Sequence, residues 1–243
     1  MFADAAKELL GFVASFLAVG AIGFRYAVSR HHDDEQVWRA ARRAAILGLI
    51  GAAVTLVMVY LKVHKRPLNQ LALLQLGGWI LAIIGFAFAA FDLRASWPFA
   101  GTGVIVGSLA PLFLGQFARS ANPIHRFAAG MWIGTLFVIV VVGLLDRVVD
   151  TFTPLALGSF VVLAGSGVWT AWRHLKRLDA LWTTSYGYAL IAKLCVVAVV
   201  VALGAFNWRR RAAALRRSAT WELVFAGVVL IITAVLVSLP SPR

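Results

Sequence analysis

Long apolar runs separated by short polar stretches dominate the pattern of the chain. Each of the eight runs has about 20 residues, which is enough to cross a hydrocarbon core of ~30 Å at ~1.5 Å per helical residue. No segment alternates apolar and polar residues as a membrane β-strand does. A backbone exposed to lipid must satisfy its own hydrogen bonds, so these continuous runs predict helices. The predicted spans are residues 9–29, 40–62, 71–91, 97–117, 125–145, 154–174, 186–206 and 219–239.

This pattern predicts an all-α protein, a polytopic membrane helix bundle with eight transmembrane helices that form a single domain over residues 1–243. The longest polar interruption, residues 29–39, fits only a loop and leaves no linker to a second domain. The first run is preceded by Asp4, Lys7 and Glu8 and has no convincing cleavage site. It is therefore expected to be a retained helix rather than a signal peptide.

Composition and charge agree with a membrane protein. The chain is 61% hydrophobic and only 14% charged, whereas soluble domains have roughly 25% charged residues. The net charge of +13 is carried between the apolar runs, which favours anionic membrane lipids as partners over nucleic acid. The two densest arginine clusters, Arg39–Arg43 and Arg209–Arg217, fall on one predicted face. We expect that face to be cytoplasmic and both termini to be periplasmic.

Three histidines at predicted span ends are the first candidate metal ligands: His64, His125 and His174. Alternation of the spans places all three on the outer face, where imidazoles can bind copper or ligate a heme. The alternative is that they are ordinary interfacial histidines. That interpretation is favoured for His64 and His174, because their cationic neighbours repel a metal ion. For His125, which opens the fifth predicted span, both interpretations stay open.

The other metal-binding patterns are weaker. The run from His31 to Glu35 resembles a chelating segment for a hard metal, but a solvated loop is the favoured interpretation. The soft ligands inside the apolar runs are Met58, Met131 and Cys195, and they lie on three different predicted helices. A single cysteine also excludes an internal disulfide and a multi-cysteine metal site.

Lys193 and Glu222 are ionisable residues well inside apolar runs. Charges within a membrane are costly, so such residues are candidates for function. The structural alternative is that Glu222 pairs with the arginines of 209–217 and that Lys193 extends toward the membrane surface. The chain has no phosphate-binding loop, no nucleophile elbow and no paired carboxylates, which argues against a hydrolase or transferase but not against membrane redox chemistry. We predict that the protein is not an enzyme.

Three pieces of the second half, in this order, resemble one protein family. They are IHRFAAGMWIGTL (Ile124–Leu136), TSYGYALIAKL (Thr184–Leu194) and RRSATWELVFAGVVLIITAVL (Arg216–Leu236). Together with the eight spans they resemble the CopD family of bacterial copper-resistance membrane proteins, and the likeness weakens over the first four spans. The residues that carry it, or that are polar within the spans, are Trp132, Gly134, Tyr186, Gly187, Lys193, Gly204, Asn207 and Glu222.

The resemblance implies a bundle in the bacterial inner membrane that moves copper inward for import or resistance, beside a periplasmic copper-binding CopC-type protein. It also implies copper at His125. Heme, which His125 and His174 near one surface suggest, is the less favoured cofactor. The histidines that the family carries in its first helix and at the end of its fourth have no counterpart here, where GFVASFLAVG and Gly115-Gln116 stand. Two alternatives therefore stay open: a heme- or quinone-associated subunit, and a non-catalytic subunit of a larger membrane complex that keeps the fold without the copper ligands.

Overall fold

The structure is a computed structural model that describes residues 2–29, 34–64, 67–174, 179–209 and 215–238. Within this part of the chain, 93% of the residues are helical and there is no strand. The predicted all-α class is therefore confirmed. The helices are α1 (Phe2–Gly23), α2 (Glu35–Val63), α3 (Gln70–Ala90), α4 (Trp97–Phe113), α5 (Phe117–Ala129), α6 (Thr135–Val142), α7 (Leu145–His174), α8 (Ala180–Thr183), α9 (Ser185–Arg209) and α10 (Leu215–Ser238).

Two π-helical turns interrupt this series. One, Phe24–Val28, continues α1, and the other, Gly130–Gly134, joins α5 to α6 into one long rod. Eight helical segments of the described chain are long and apolar enough to cross a membrane, which confirms the predicted span count. They are Ala3–Val28, Glu35–Val63, Gln70–Ala90, Arg94–Phe113, Arg119–Val142, Asp150–Trp172, Gly187–Gly204 and Ala219–Ser238.

The fifth span begins earlier than its apolar pattern predicted. Helix α5 begins at Phe117 and the candidate span covers Arg119–Val142, whereas the sequence predicted residues 125–145. The expectation that His125 opens this helix was therefore wrong. The polar residues before His125 were interpreted as a loop, yet α5 is strongly amphipathic and continues through Pro123. An amphipathic helix can begin outside the hydrocarbon core, where its polar face remains hydrated.

Local signals explain where helices begin and end. The side chain of Asp34 accepts a hydrogen bond from the Gln36 backbone N–H at 2.6 Å and caps α2. Asn69 caps α3 in the same way, through the Ala72 N–H at 2.9 Å. Such caps satisfy backbone donors that the first helical turn leaves without partners. The fifth span ends at Gly143, whose φ of 77° is the left-handed conformation that glycine adopts at little cost.

The helices group into two compact units, described separately: Val13–Ser166, and the residues up to Phe12 together with those from Gly167 onward. In the Val13–Ser166 unit, α3 packs against both α2 and α4. A Cβ atom added to Gly78 would overlap the backbone of Gly107, and one added to Gly85 would overlap Ala100. Small residues therefore let the α3 and α4 backbones touch, which is how helices gain contact in lipid.

A second backbone contact in this unit joins α1 to the π-helical turn of the fifth span. A Cβ atom on Gly134 would overlap the carbonyl oxygen of Phe16, and one on Gly20 would overlap the carbonyl of Gly134. Thr135 is fully buried beside this crossing, and its hydroxyl donates to the Gly20 carbonyl at 3.4 Å. The glycine that the family resemblance singled out thus serves close packing.

Polar contacts join three connections at one end of the Val13–Ser166 unit. Arg147, which follows the fifth span, pairs with Asp34 before the second, with 2.6 Å between Nη1 and Oδ2. The indole N–H of Trp38 donates to Asp92, in the connection between α3 and α4, at 2.5 Å. These residues lie at span ends, where charged groups and amphipathic rings meet the headgroup layer.

In the second unit, α9 packs along α10, and the short α8 packs against α9. The hydroxyl oxygen of Thr184 accepts from the Gly187 backbone N–H at 3.0 Å and begins α9 in the manner of an N-cap. Gly187 itself is buried. The division into two units leaves the predicted single domain, residues 1–243, as a prediction.

Candidate functional site

His125 lies within the fifth candidate span rather than at its end. It lies six residues inside the fifth candidate span, Arg119–Val142, which places it about 9 Å from the span's end at ~1.5 Å per residue. The side chain is half-buried. An imidazole at that depth is a polar group within the membrane-spanning part of the helix, where polar side chains commonly mark pathways for ions or protons.

Helix α7 holds the ring of His125. Its Nδ1 atom lies 3.0 Å from the Leu163 carbonyl oxygen and 3.2 Å from the Ser166 hydroxyl oxygen. A carbonyl can only accept a hydrogen bond, so Nδ1 carries the proton. The Ser166 hydroxyl donates to the Val162 carbonyl at 2.6 Å, and its oxygen can therefore accept from the same Nδ1–H. In neutral imidazole this arrangement leaves the lone pair on Nε2, the form in which histidine ligates a metal.

One turn along α7, an aromatic pair fixes the same two helices. Trp132, in the π-helical turn, packs edge-to-face on Phe160, with 5.5 Å between the ring centroids and 82° between the ring planes. Phe160 and Leu163 are three residues apart and so share one face of α7. The pair adds a second point at which the fifth span contacts α7. Trp132 is thus a packing residue that stabilises the position of His125.

The structure does not bring the predicted histidine trio together in its described part. His64 is exposed at the end of α2, stacks on Tyr60 with 5.5 Å between ring centroids, and has its Nδ1 3.0 Å from the Leu61 carbonyl of its own helix. The His174 side chain lies outside the described residues. Among the described side chains, no group of three or more His, Cys, Asp or Glu residues converges on one point.

The chelating run and the soft ligands add no second site among the described residues. Residues 31–33 lie outside the described part of the chain. Asp34 caps α2 and pairs with Arg147, while Glu35 pairs with Arg39 at 3.7 Å, so both described carboxylates of the run have structural roles. Cys195 is exposed on α9.

The intramembrane charges lie in the second unit. Lys193 is half-buried on α9. Glu222 is 8% exposed on α10, and a Cβ atom on Gly204 of α9 would lie 3.8 Å from its Oε1 atom, so the carboxyl group lies beside that glycine. The arginines predicted to pair with Glu222 have side chains outside the described residues, as do Tyr186 and Asn207.

Neither Ser166 nor the Leu163 carbonyl was predicted from the sequence. The available signal was a hydroxyl residue between Gly165 and Gly167, within an apolar run. Whether Ser166 contacts His125 depends on how α7 is rotated about its axis, and the order of residues along the chain does not determine that rotation. The depth of His125 within its span was not predicted either, because the amphipathic start of α5 resembles a loop in composition.

Eight apolar helices with a histidine held inside one span define a multi-pass α-helical membrane protein. Residues 146–236 match the family model described as copper resistance protein D, CopD. Copper transport protein CutJ of Bacillus subtilis (strain 168) is 27% identical over 180 residues, covering 68% of this chain and 31% of that protein. No solved structure matches the chain.

Both sequence matches are to CopD-type copper proteins, so the resemblance to the CopD family that was predicted from the motifs is confirmed. The family match covers three of the four C-terminal spans, and the chain spans less than a third of the length of the curated relative. The described chain is thus a multi-pass α-helical membrane protein that is similar, over its second half, to copper resistance protein D.

Proposed function

We propose that this protein handles copper in the bacterial inner membrane, as a permease that moves the ion inward and serves copper import or resistance. Copper is then the transported substrate rather than a resident cofactor, and the protein is not an enzyme. The match of residues 146–236 to the CopD family model and the likeness to a copper transport protein support this proposal. The likeness also favours transport over catalysis.

The observation that carries the proposal is the fixed tautomer of His125. Because Nδ1 donates to Leu163, Nε2 keeps the lone pair that a copper ion requires. Imidazole nitrogen suits copper in either oxidation state better than a hard cation such as Mg²⁺. His125 is therefore proposed as a copper ligand within the fifth span. We propose that His64 and His174 lie at the membrane surface, where they contribute to copper capture but not to the stoichiometric ion that His125 holds.

Two further parts of the proposal concern the partner and the orientation: the first rests on the family likeness alone, and the second on the arginine clusters Arg39–Arg43 and Arg209–Arg217. A periplasmic CopC-type protein is the proposed donor of copper, and both termini are placed on the periplasmic side. The alternative is that the chain is a subunit of a larger membrane complex that retains the CopD-like fold without transporting copper. A heme- or quinone-associated subunit is one form of that alternative.

The test is elemental analysis of the detergent-purified full chain after anaerobic Cu(I) loading, with copper and iron counted in the same sample. We expect bound copper in stoichiometric amount, lost in His125→Ala and retained in His64→Ala. The second variant is a matched control, because it removes an imidazole that also donates from Nδ1 to a carbonyl but is exposed. Copper accumulation in cells that express the same variants then separates binding from transport.

Three outcomes would contradict the proposal. Copper retained in full by His125→Ala would exclude this residue as the ligand. Iron with a heme absorption band in place of copper would favour the heme-associated subunit. Neither metal in well-folded protein would favour the non-catalytic subunit, whose partners would then be sought by mild solubilisation and co-purification.

A further inference from the structure

A group of arginine and tryptophan side chains lies at the end of the Val13–Ser166 unit where the second span begins. We call it the Trp38 cluster, and it consists of Trp38 and Arg42 on α2 with Asp92 and Arg94 in the connection from α3 to α4. Neither the copper proposal nor the family likeness assigns these residues a role. Their contacts define two guanidinium groups held in place at one membrane surface.

The indole of Trp38 organises the cluster. Its N–H donates to Asp92 Oδ1, and the guanidinium carbon of Arg94 lies 4.3 Å from the ring centroid. Arg25, at the end of the first span, lies 5.4 Å from the same ring. A stacked guanidinium uses its flat face for the cation–π contact. Its N–H donors lie in the plane of the group and remain directed along its edges.

Arg42 follows Trp38 by four residues and so lies on the same face of α2. Its Nε donates to the Ala90 carbonyl at 3.3 Å, at the end of α3. This bond fixes the guanidinium beside the α3–α4 connection and leaves its two terminal nitrogens as donors. Arg42 and Arg94 therefore flank the same tryptophan and the same connection.

The acidic residues near this surface do not neutralise the two arginines. Asp92 accepts from Trp38, while Asp34 pairs with Arg147 and Glu35 with Arg39. Within the described residues, no carboxylate lies within ion-pair distance of Arg42 or Arg94. The cluster thus has directed donors and a net positive charge, because its two guanidinium groups outnumber the single carboxylate of Asp92.

We propose that the Trp38 cluster binds the phosphate group of an anionic phospholipid. The forked donors of a guanidinium match phosphate oxygens, and the cluster lies at span ends, where lipid headgroups are found. Free inorganic phosphate has the same chemistry. We commit to the lipid, because residues at that level of a membrane protein contact headgroups and because the tryptophan ring can pack beside the glycerol region.

The test uses the full chain in a neutral detergent, titrated with phosphatidylglycerol or phosphatidylcholine, with bound lipids counted by native mass spectrometry. Charge-assisted hydrogen bonds from a guanidinium to phosphate are among the strong ones, so removing both guanidinium groups should weaken phosphatidylglycerol binding by about tenfold to thirtyfold. The variant is Arg42→Gln with Arg94→Gln. Phosphatidylcholine binding should be weaker in the unchanged protein and less affected by the double substitution.

A matched double variant, Arg43→Gln with Arg119→Gln, removes the same charge from exposed arginines outside the cluster. It should change phosphatidylglycerol binding by less than about twofold. Equal losses in the two double variants would overturn the proposal, because they would mean a diffuse charge effect. Displacement of phosphatidylglycerol by millimolar inorganic phosphate would overturn the commitment to lipid.

If the glutamine variant aggregates, Arg42→Lys with Arg94→Lys keeps the charge and tests geometry alone. A bidentate site should lose affinity with lysine, since the ammonium group lacks the planar fork. Full retention of phosphatidylglycerol affinity by the lysine variant would refute a built phosphate site. The readout is independent of copper, so failure here would leave the proposed function intact.

Discussion

Replacing Gly134 with alanine tests whether the contact between α1 and the fifth span determines stability. The backbone at Gly134 has φ −64° and ψ −42°, which alanine adopts readily, so the substitution introduces no backbone strain. The added Cβ atom would overlap the Phe16 carbonyl oxygen and would lie 3.3 Å from the Gly20 Cα atom. Backbone atoms cannot rotate away, so the two helices must separate.

The magnitude follows from two opposing terms. Alanine is intrinsically better than glycine in a helix by about 1 kcal/mol. Overpacking a close contact costs about 1–3 kcal/mol, and here the obstructing atoms are backbone, which favours the upper part of that range. We therefore expect Gly134→Ala to lower the free energy of unfolding by about 1–2 kcal/mol.

The assay is reversible unfolding of the full chain in mixed micelles, titrated with a denaturing detergent. Gly165→Ala is the matched control, because a Cβ atom there would meet no described atom within 4 Å. That variant should be unchanged or more stable by up to about 1 kcal/mol. A Gly134→Ala protein as stable as the Gly165→Ala protein would refute the packing argument.

Two further predictions concern His125 and the start of α2. Ser166→Ala should weaken Cu(I) binding by about tenfold, because His125 Nδ1 loses its contact with the hydroxyl and keeps the one with the Leu163 carbonyl. The affinity is measured by competition with a chelator of known affinity. Buried Ser159→Ala on the same helix is the control, and unchanged affinity in Ser166→Ala, with copper still lost in His125→Ala, would exclude a role for the hydroxyl. Asp34→Ala removes a helix cap and a partly exposed ion pair, and should lower the free energy of unfolding by about 1–2 kcal/mol. Glu35→Ala should cost less than about 0.5 kcal/mol in the same titration, because its pair with Arg39 is exposed; equal losses would contradict the capping role.

The spans were predictable because a helix that crosses the lipid core needs about 20 consecutive, predominantly apolar residues. The third span illustrates this, since residues 71–91 were predicted and Gln70–Ala90 is observed. Apolar length is a local property, and one sequence suffices to measure it. The start of α5 was missed because its polar face made an amphipathic helix resemble a loop.

The partners of His125 could not be predicted for a different reason. They depend on how α7 is rotated about its axis, and that rotation is decided by packing along the whole helix. Two glycines show that the packing of a residue cannot be predicted from its position in an apolar run. Gly134 and Gly165 both lie in such runs, yet of the two only Gly134 has the backbone of another helix against it in the described structure. The sequence therefore identified polar residues and glycines within the spans, and the structure showed which of them contact another helix.

The close contact between α3 and α4 has a mechanical consequence. Gly78 lies against the Gly107 backbone and Gly85 against Ala100, at points seven residues apart on each helix. Sliding either helix by one residue would drive a neighbouring side chain into the space that a glycine leaves. Relative translation is therefore blocked at two levels, and the stretches 78–85 and 100–107 must tilt or turn together. Any alternation between inward- and outward-open states would have its hinges elsewhere in the chain.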